Sequence, residues 1–233
     1  MVSKAERVGR VESGIQGLDG FIEGGFVEGS TNLVAGMTGT CKTIFCSQFI
    51  WHGLKKGESG IYVSLEQSAE DIISETATFG FNFEPYIKKG KCIFTDEIPT
   101  NFRKLESSVF NKITKIKAKR FVLDSLSIIE MGMEEPTSRS KIRRDIFKFL
   151  KSLKKLGVTS LLITEIPEDN PKKLSRFGLE EFLVDGIIIL NYLEYASGGL
   201  PRSLIIRKMR QTNHGIDIYP FDITKKGLVV KRA

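Results

Sequence analysis

The stretch GMTGTCKT at residues 36–43 places the tightest constraint on how this chain can fold. It matches the pattern G-x-x-x-x-G-K-[ST] at every fixed position except the second glycine, where Cys41 stands. Such a loop cradles phosphate only when a buried strand leads into it and a helix leads out of it. Residues 31–36, TNLVAG, have the character of that strand, and residues 42–56 have the character of that helix. The sequence therefore predicts an α/β fold with a phosphate site at the end of a strand.

Four further short apolar runs alternate with longer amphipathic ones. The short runs are hydrophobic nearly throughout, as strands covered on both faces are, and they lie at 60–66, 91–97, 120–125 and 159–166. Helices are predicted between them, at 68–79 after the N-cap residue Ser68, at 103–118, and at 138–156 before Gly157. This order predicts a mainly parallel central sheet flanked by helices, with right-handed crossovers.

After residue 184 the pattern changes to hairpins. The segment DGIIILNYLEYASGGLPRSLIIRKMR is typical of a strand, a glycine-containing turn and a second strand, and a tight turn separates IYPFDIT from GLVV. Antiparallel hairpin strands are therefore expected at the C-terminal end of the sheet. Because no repeat or linker interrupts the chain, residues 1–233 are predicted to form a single domain, with the glycine-rich residues 1–30 wrapping its edge.

The composition indicates which cellular compartment and which binding partners suit the chain. The 35 Lys and Arg residues against 28 Asp and Glu give a net charge of +7, which permits a polyanion as partner without requiring one. Three cysteines without a C-x-x-C spacing argue against a disulfide framework and against zinc, and favour a reducing, cytoplasmic setting. The N-terminal segment lacks the apolar core of a signal peptide and no run of 18 apolar residues occurs, so no membrane association is expected.

The loop residues expected to contact a nucleotide are Thr38, Gly39, Thr40, Cys41, Lys42, Thr43 and Ile44. Their backbone N–H groups would face phosphate oxygens at the positive end of the following helix. We expect Lys42 to reach the β- and γ-phosphates and Thr43 to offer its hydroxyl to Mg²⁺.

Cys41 is the departure from the pattern. Glycine is needed where φ is positive, and we expect a negative φ at Cys41 because it lies at the helix start. A small side chain would then be tolerated, with altered affinity more than lost binding. The neighbouring Lys42 and the helix N-terminus are also expected to favour the thiolate, which makes Cys41 either an oxidation-sensitive switch or an inert thiol.

Four segments together resemble the KaiC-like ATPases, a single-domain branch of the RecA superfamily common in archaea. The resemblance spans about residues 10–230 and rests on SGIQGLDGFIEGGFVEGS, GMTGTCKTIFCSQFIWHGLKKGESGIYVSLEQ, RFVLDSLS and IIRKMRQTNH with YPFDITKKGL. It implies a RecA-like P-loop NTPase fold, ATP and Mg²⁺ as ligands, and self-assembly into a ring, which in the family commonly has six subunits.

The resemblance also assigns roles to polar residues at strand ends. Glu66 matches the carboxylate that polarises the attacking water, although Gln67 stands where a second glutamate is common. Asp124 matches the aspartate that holds Mg²⁺ through water. Thr164 and Glu165 match the position that senses the γ-phosphate. Taken singly, each of these residues is equally typical of a solvated strand end or a turn cap.

The basic motif RKMRQTNH completes the implied site. Lys208 and Arg210 alternate along a strand, so their side chains leave on one face. In KaiC-like rings this face meets the nucleotide of the neighbouring subunit, where both side chains would neutralise charge on the γ-phosphate, with Thr212 and His214 lining the same pocket. A solvated basic edge strand is the alternative.

Two other segments carry several basic residues each. The loop at 166–183 carries Lys172, Lys173 and Arg176 together with four acidic residues, so it is either a DNA-binding loop or a surface loop without nucleic acid. The run NKITKIKAKR at 111–120 is assigned to the solvated face and end of a helix, with no binding role.

The leading hypothesis is a slow Mg-ATP hydrolase of the KaiC/RecA-like type that acts at a subunit interface. Two alternatives stay open: a nucleotide-dependent switch or scaffold with negligible turnover, and a recombinase paralogue that binds single-stranded DNA.

Overall fold

The computed structural model describes residues 8–97, 101–132, 138–167, 170, 173–175, 178–193 and 201–232. The strands are β1 (Arg10–Val11), β2 (Phe26–Val27), β3 (Thr31–Gly36), β4 (Gly60–Ser64), β5 (Cys92–Asp96), β6 (Arg120–Asp124), β7 (Thr159–Glu165), β8 (Gly186–Tyr192), β9 (Arg202–Met209), β10 (Ile218–Thr224) and β11 (Gly227–Val230). The helices are α1 (Lys42–Lys55), α2 (Ala69–Ala77), α3 (Glu84–Lys88), α4 (Phe102–Ile116), α5 (Arg139–Lys155) and α6 (Glu180–Leu183), and 3₁₀ turns lie at Asp19–Phe21 and Leu126–Gly132.

The described strands form one large sheet in the order β11-β10-β9-β8-β3-β7-β6-β4-β5. From β8 to β5 the neighbouring strands run parallel, and β8 to β11 form antiparallel pairs. β3 lies between β7 and β8, and every one of its residues is buried. The predicted fold class, a mainly parallel sheet ending in antiparallel hairpin strands, is therefore confirmed.

Each face of the sheet has its own layer of helices and its own core. α4 and α5 cover one face, where Phe149 contacts Phe102, Phe110 and Phe121. α1, α2 and α3 cover the other face, where apolar side chains of α1 such as Phe49 and Ile50 pack on the strands. Because both faces are covered, the middles of the central strands are apolar and the polar side chains lie towards the strand ends.

Capping residues place the first and last turns of α2 and α5 close to where the sequence predicts them. The Ser68 hydroxyl accepts the N–H of Asp71 at 3.1 Å and caps α2, and the Ser138 hydroxyl caps α5 in the same way. Gly157, with φ of +67°, follows the last turn of α5 in the left-handed conformation that glycine favours. None of the helices in these described ranges is long and apolar enough to cross a membrane.

The N-terminal segment reaches the far edge strand of the sheet. Gln16 forms a parallel bridge with Val229, and the N–H of Val230 donates to the Gln16 carbonyl at 2.8 Å. Gly17 has a φ of +89°, and a β-carbon there would come within 2.1 Å of the Val230 carbonyl oxygen. The turn therefore requires glycine, because any side chain would push the segment off β11.

Arg120, at the start of β6, fastens the same segment to the core. Its side chain is 1% exposed and lies 4.5 Å from the centre of the Phe49 ring. The guanidinium donates to the carbonyls of Glu12 and Phe49 at 2.7 and 3.0 Å and to the Glu58 carboxylate at 2.5 Å. Three of its five N–H groups are thus hydrogen-bonded, one of them to a carboxylate, which offsets part of the cost of burying the charge.

Replacing Arg120 with alanine should lower the free energy of unfolding by about 3–5 kcal/mol, because two buried carbonyls and one carboxylate lose their donor. Urea denaturation measures this change. Lys119→Ala, at the exposed neighbouring position, is the matched control and should change stability by less than about 0.5 kcal/mol. A loss of equal size in both variants would show that Arg120 does not hold the N-terminal segment.

Candidate nucleotide site

The loop between β3 and α1 is closed by its own side chains. The Lys42 ammonium donates to the carbonyls of Gly36 and Met37, each at 2.9 Å, and the Thr40 hydroxyl donates to the Met37 carbonyl at 2.8 Å. From β8, the Tyr192 hydroxyl donates to the Gly39 carbonyl at 2.7 Å. The lysine is therefore held over the loop, at the place where an incoming phosphate would replace the carbonyls as its partner.

The backbone N–H groups at the start of α1 are available to a ligand. Those of Gly39, Cys41, Lys42 and Thr43 donate to no acceptor in the part of the chain that the structure describes, and no side chain caps the helix. Four unpaired donors at the positive end of a 14-residue helix are the donor set of a phosphate cradle. Thr38 lies in the same loop, and Ile44 lies in the first turn of α1.

The backbone at Cys41 differs from our expectation. Its φ is +72°, in the left-handed region, whereas the sequence analysis expected a negative value. The expectation was wrong because the N-cap residue lies outside the helix proper and completes the turn of the loop. Cysteine thus occupies a conformation that suits glycine, at a cost of about 1–2 kcal/mol.

The expected thiolate at Cys41 is also contradicted. Burial raises the pKa of the Cys41 thiol, and the opposing effects of Arg202 and Lys42 do not cancel it. The thiol donates weakly to the Gly39 carbonyl, with 3.6 Å between sulfur and oxygen. The helix N-terminus therefore does not produce a reactive thiolate here, which favours the inert thiol over the oxidation-sensitive switch.

Asp124, at the end of β6, lies next to the first turn of α1. Its Oδ2 accepts the Thr43 hydroxyl at 3.0 Å and the Tyr62 hydroxyl at 2.6 Å. Burial raises the pKa of Asp124, and the two hydrogen bonds partly oppose that rise. A hydroxyl and a carboxylate side by side form an oxygen donor set of the kind Mg²⁺ accepts when substrate phosphates and water supply its other ligands. No group of three or more His, Cys, Asp or Glu side chains arranged to hold a metal ion occurs in the described residues.

Glu66 follows β4 on the other side of Asp124. Its Oε1 accepts the Ser125 hydroxyl. Burial raises the pKa of Glu66, with further rises from the charges of Asp124 and Glu165, while Ser125 and Lys42 oppose them. Lys42 in turn is surrounded by three carboxylates, although burial lowers its pKa overall. The structure thus brings the predicted base, the metal ligand and the loop lysine into one cluster.

The predicted sensor position lies against the same cluster. Ser127, in the 3₁₀ turn after β6, accepts the N–H of Glu165 at 2.9 Å and lies 3.4 Å from the Thr164 hydroxyl. Thr164 is fully buried, whereas Glu165 is partly exposed beside Lys42. Of the two, Glu165 is therefore the residue with access to a bound phosphate.

Lys208 and Arg210 lie at the opposite end of the sheet. The pairing of β3, β8 and β9 puts Lys208 opposite Ile187 and therefore at the level of Leu33, about 10 Å along the strand from Gly36. The Lys208 ammonium donates to the carbonyls of Glu181 and Val184 at 3.0 and 2.6 Å. Neither basic side chain thus approaches the phosphate loop of its own chain.

Asp185 organises this second cluster. It accepts the N–H of Thr31 at 3.0 Å, the Lys154 ammonium at 2.6 Å and the Arg210 guanidinium at 3.5 Å. A cavity of about 360 Å³ opens beside these groups and is also lined by Gln211. Burial, together with the charge of Arg210, lowers the pKa of Lys208. Arg210 therefore lines an open concavity, and Lys208 lies close enough for the charge of Arg210 to act on it.

Thr212 and His214 belong to this second end as well. The Thr212 hydroxyl accepts from Arg10 at 2.7 Å, and Nδ1 of His214 lies 2.8 Å from the Gly215 carbonyl. Within one chain the predicted site residues thus form two groups, one at each end of the sheet.

Several residues of the site were missed by sequence reasoning. Tyr62, Ser125, Ser127 and Tyr192 orient the predicted residues, and Arg202 lies 5.8 Å from the Tyr192 ring and close to Cys41. Ser125 and Ser127 follow Asp124 directly, so their position was a usable signal. Tyr192 and Arg202 could not be found from the sequence, because only the pairing of β8 with β3 brings them to the loop.

A family model described as "ATPase: KaiC" matches residues 11–233. The chain belongs to the KaiC ATPase family. A UPF0273 protein of Thermotoga maritima is 36% identical over 95% of both chains. The circadian clock protein KaiC3 of Synechocystis is 31% identical, and the match covers 97% of this chain but 46% of that protein, so the chain spans about half of that relative's length.

Among solved structures, the KaiC-like protein PH0186 of Pyrococcus horikoshii has the same fold. The TM-score is 0.87 at 43% identity, and the alignment covers 97% of this chain and 100% of the other. The KaiC-like resemblance predicted from the sequence is therefore confirmed, and the two clusters described above lie in a fold of the KaiC family.

Cys41→Gly should raise the free energy of unfolding by about 1 kcal/mol, because glycine adopts a φ of +72° without steric cost. Urea denaturation measures the change. Cys41→Ala is the control: it also removes the sulfur but keeps the β-carbon, so it should not stabilise the chain. Equal stabilisation by both variants would place the effect in the thiol and not in the backbone.

Proposed function

We propose that this protein hydrolyses ATP slowly at the interface between two copies of the chain. The observation that carries the proposal is the separation of the two clusters. One end of the sheet has free amides, Lys42, Asp124 and Glu66, whereas Lys208 and Arg210 lie at the other end. A complete hydrolytic site then requires a second copy, whose basic end faces the phosphate loop of the first.

Each residue has a role that its environment supports. The amides of α1 and Lys42 hold the phosphates of ATP, and Thr43 with Asp124 would hold Mg²⁺, which when bound supplies positive charge to the phosphate oxygens. Glu66 accepts a proton from the attacking water. Its raised pKa makes it a stronger base than an exposed glutamate.

The partner subunit completes the charge balance in this proposal. Arg210 is exposed and joined to Asp185 by a contact of 3.5 Å, so it can turn towards a neighbouring molecule. Lys208 would have to break its hydrogen bonds to two backbone carbonyls before it could reach a nucleotide on the neighbouring molecule. Repeating one such head-to-tail contact generates a closed ring if the rotation between subunits closes. We therefore propose self-association as a ring, with six subunits as the expected number.

Glu66→Gln and Arg210→Ala should each lower ATP turnover, by on the order of 10²-fold or more, because one removes the base and the other the trans cation. Phosphate release measures the rate. Mixed in equal amounts and reassembled, the two inactive variants should recover about a quarter of the wild-type rate, because about one interface in four pairs an intact Glu66 with an intact Arg210.

Three results would contradict parts of this proposal. Equal rates for the wild type and Glu66→Gln would replace the enzyme with a nucleotide-dependent switch. An Arg210→Ala variant with full activity would remove the trans role. A mixture that assembles by light scattering and stays inactive would show that the two clusters do not complete each other.

Turnover should fall as the pH drops through the pKa of Glu66, because the base must be ionised. Ser125→Ala removes a hydrogen bond that lowers this pKa, so the acidic limb of the pH–rate profile should move to higher pH. Ser108→Ala, which removes a similar hydrogen bond to Glu97 away from the site, should leave the profile unchanged. A shift in the opposite direction would exclude Glu66 as the base.

A further inference from the structure

Positive charge is concentrated in two helices. Residues 102–119 and 139–155 contain 14 of the 35 Lys and Arg residues but 2 of the 28 Asp and Glu residues, which leaves 21 basic against 26 acidic residues in the rest of the chain. The net charge of +7 therefore comes from α4, α5 and the turn after α4, while the remainder of the protein is acidic.

The two helices lie side by side on one face of the sheet. The Phe110 and Phe149 rings stack at 5.6 Å, and the charges of Asp145 and Lys148 on α5 act on Glu106 of α4. The apolar residues of both helices point inward, among them Val109 and Ile146, which are fully buried. The basic residues therefore share one outer surface, here termed the α4–α5 face.

Many of these side chains form no ion pair with a carboxylate of the described residues. Arg144, Lys148 and Lys151 occupy positions i, i+4 and i+7 on one exposed stripe of α5. Within the described ranges none of them lies within 4 Å of a carboxylate, and the same holds for Arg103, Lys104 and Lys115 on α4. Lys112 and Lys154, in contrast, are neutralised by Glu97 and Asp185.

The surface has the properties of a site for an extended polyanion. The stripe from Arg144 to Lys151 covers two turns of α5 and is about 10 Å long, so it matches about three base pairs of a duplex at 3.4 Å each. Long lysine and arginine side chains repeated along such a length suit a regular ladder of phosphates.

Other occupants fit less well. A protein interface needs an apolar centre and is depleted in lysine, but Phe147 and Leu156, 49% and 41% exposed, are the large apolar side chains exposed on α4 or α5 in the described chain. Insertion into a membrane needs an apolar face, and those of α4 and α5 are used in the core. Single-stranded nucleic acid needs stacking platforms, and Phe147 alone does not supply several.

We propose that the α4–α5 face binds the phosphate backbone of double-stranded nucleic acid without sequence preference. The run at 111–120 by itself is an ordinary solvated helix end. The combined basic surface is seen only in the structure, where the pairing of β6 with β7 places α4 and α5 side by side. The stripe of Arg144, Lys148 and Lys151 takes no part in either cluster of the candidate nucleotide site, whereas Lys154 at the end of the same helix contacts Asp185 of the second cluster.

The test uses the full chain and a fluorescent 20-base-pair DNA duplex, with binding followed by anisotropy between 50 and 200 mM salt. The triple change Arg144→Glu, Lys148→Glu and Lys151→Glu should weaken binding at least about tenfold at low salt. It should also lower the slope of log affinity against log salt by about 2.7, since each lost phosphate contact contributes about 0.9.

The matched control reverses three exposed lysines elsewhere, Lys89, Lys225 and Lys226, and changes the net charge by the same amount. It should alter affinity by less than about threefold. If the α5 triple loses helical circular dichroism, the glutamine versions of the same three changes replace it, and the slope should fall by the same 2.7.

Each other result would overturn the proposal. These results are no duplex binding by the wild type at 50 mM salt, equal losses in the two triple variants, or tighter binding of a 20-nucleotide single strand. Vesicles with 30% phosphatidylserine form a further arm, and binding to them without binding to the duplex would identify an anionic membrane as the ligand instead.

Discussion

Burial of the central parallel strands on both faces is the constraint on which the rest of the structure depends. Every residue of β3 is buried, as are six of the seven residues of its neighbour β7 and five of the seven residues of its neighbour β8. The polar side chains of the candidate site therefore lie at the ends of the strands. The two ends of β3 then differ in kind: one opens into free helix amides, and the other meets the carboxylate of Asp185. Both clusters of the candidate site follow from this arrangement.

Much of the architecture could be predicted because local signals and burial agree. The run at 31–36 is a strand with the predicted bounds, Ser68 caps a helix, and Gly157 ends one. The grouping of Lys42, Asp124 and Glu66 also followed from the sequence, since parallel strands that end at one edge place their last side chains together. These features depend on the order of elements and not on side-chain detail.

The remaining features depend on contacts between distant segments or on backbone angles that residue type does not determine. The left-handed backbone at Cys41 could not be inferred from a cysteine, which ordinarily avoids that region. Tyr192 reaches Gly39 only because β8 pairs with β3, across more than 150 residues of sequence. The predicted DNA-contact residues Lys172 and Arg176 lie outside the described residues, whereas the basic face of α4 and α5 emerged only from their packing.

The Lys154–Asp185 ion pair, 2.6 Å long, gives α5 a second consequence. Its outer stripe faces solvent, while its last turn holds the carboxylate that also contacts Arg210 and the first residue of β3. A displacement of α5 by about an ångström would change the distance between Lys154 and Asp185 and so loosen or tighten the hold on Arg210. One helix therefore connects the outer basic surface with the edge that a neighbouring copy would meet in the proposed ring.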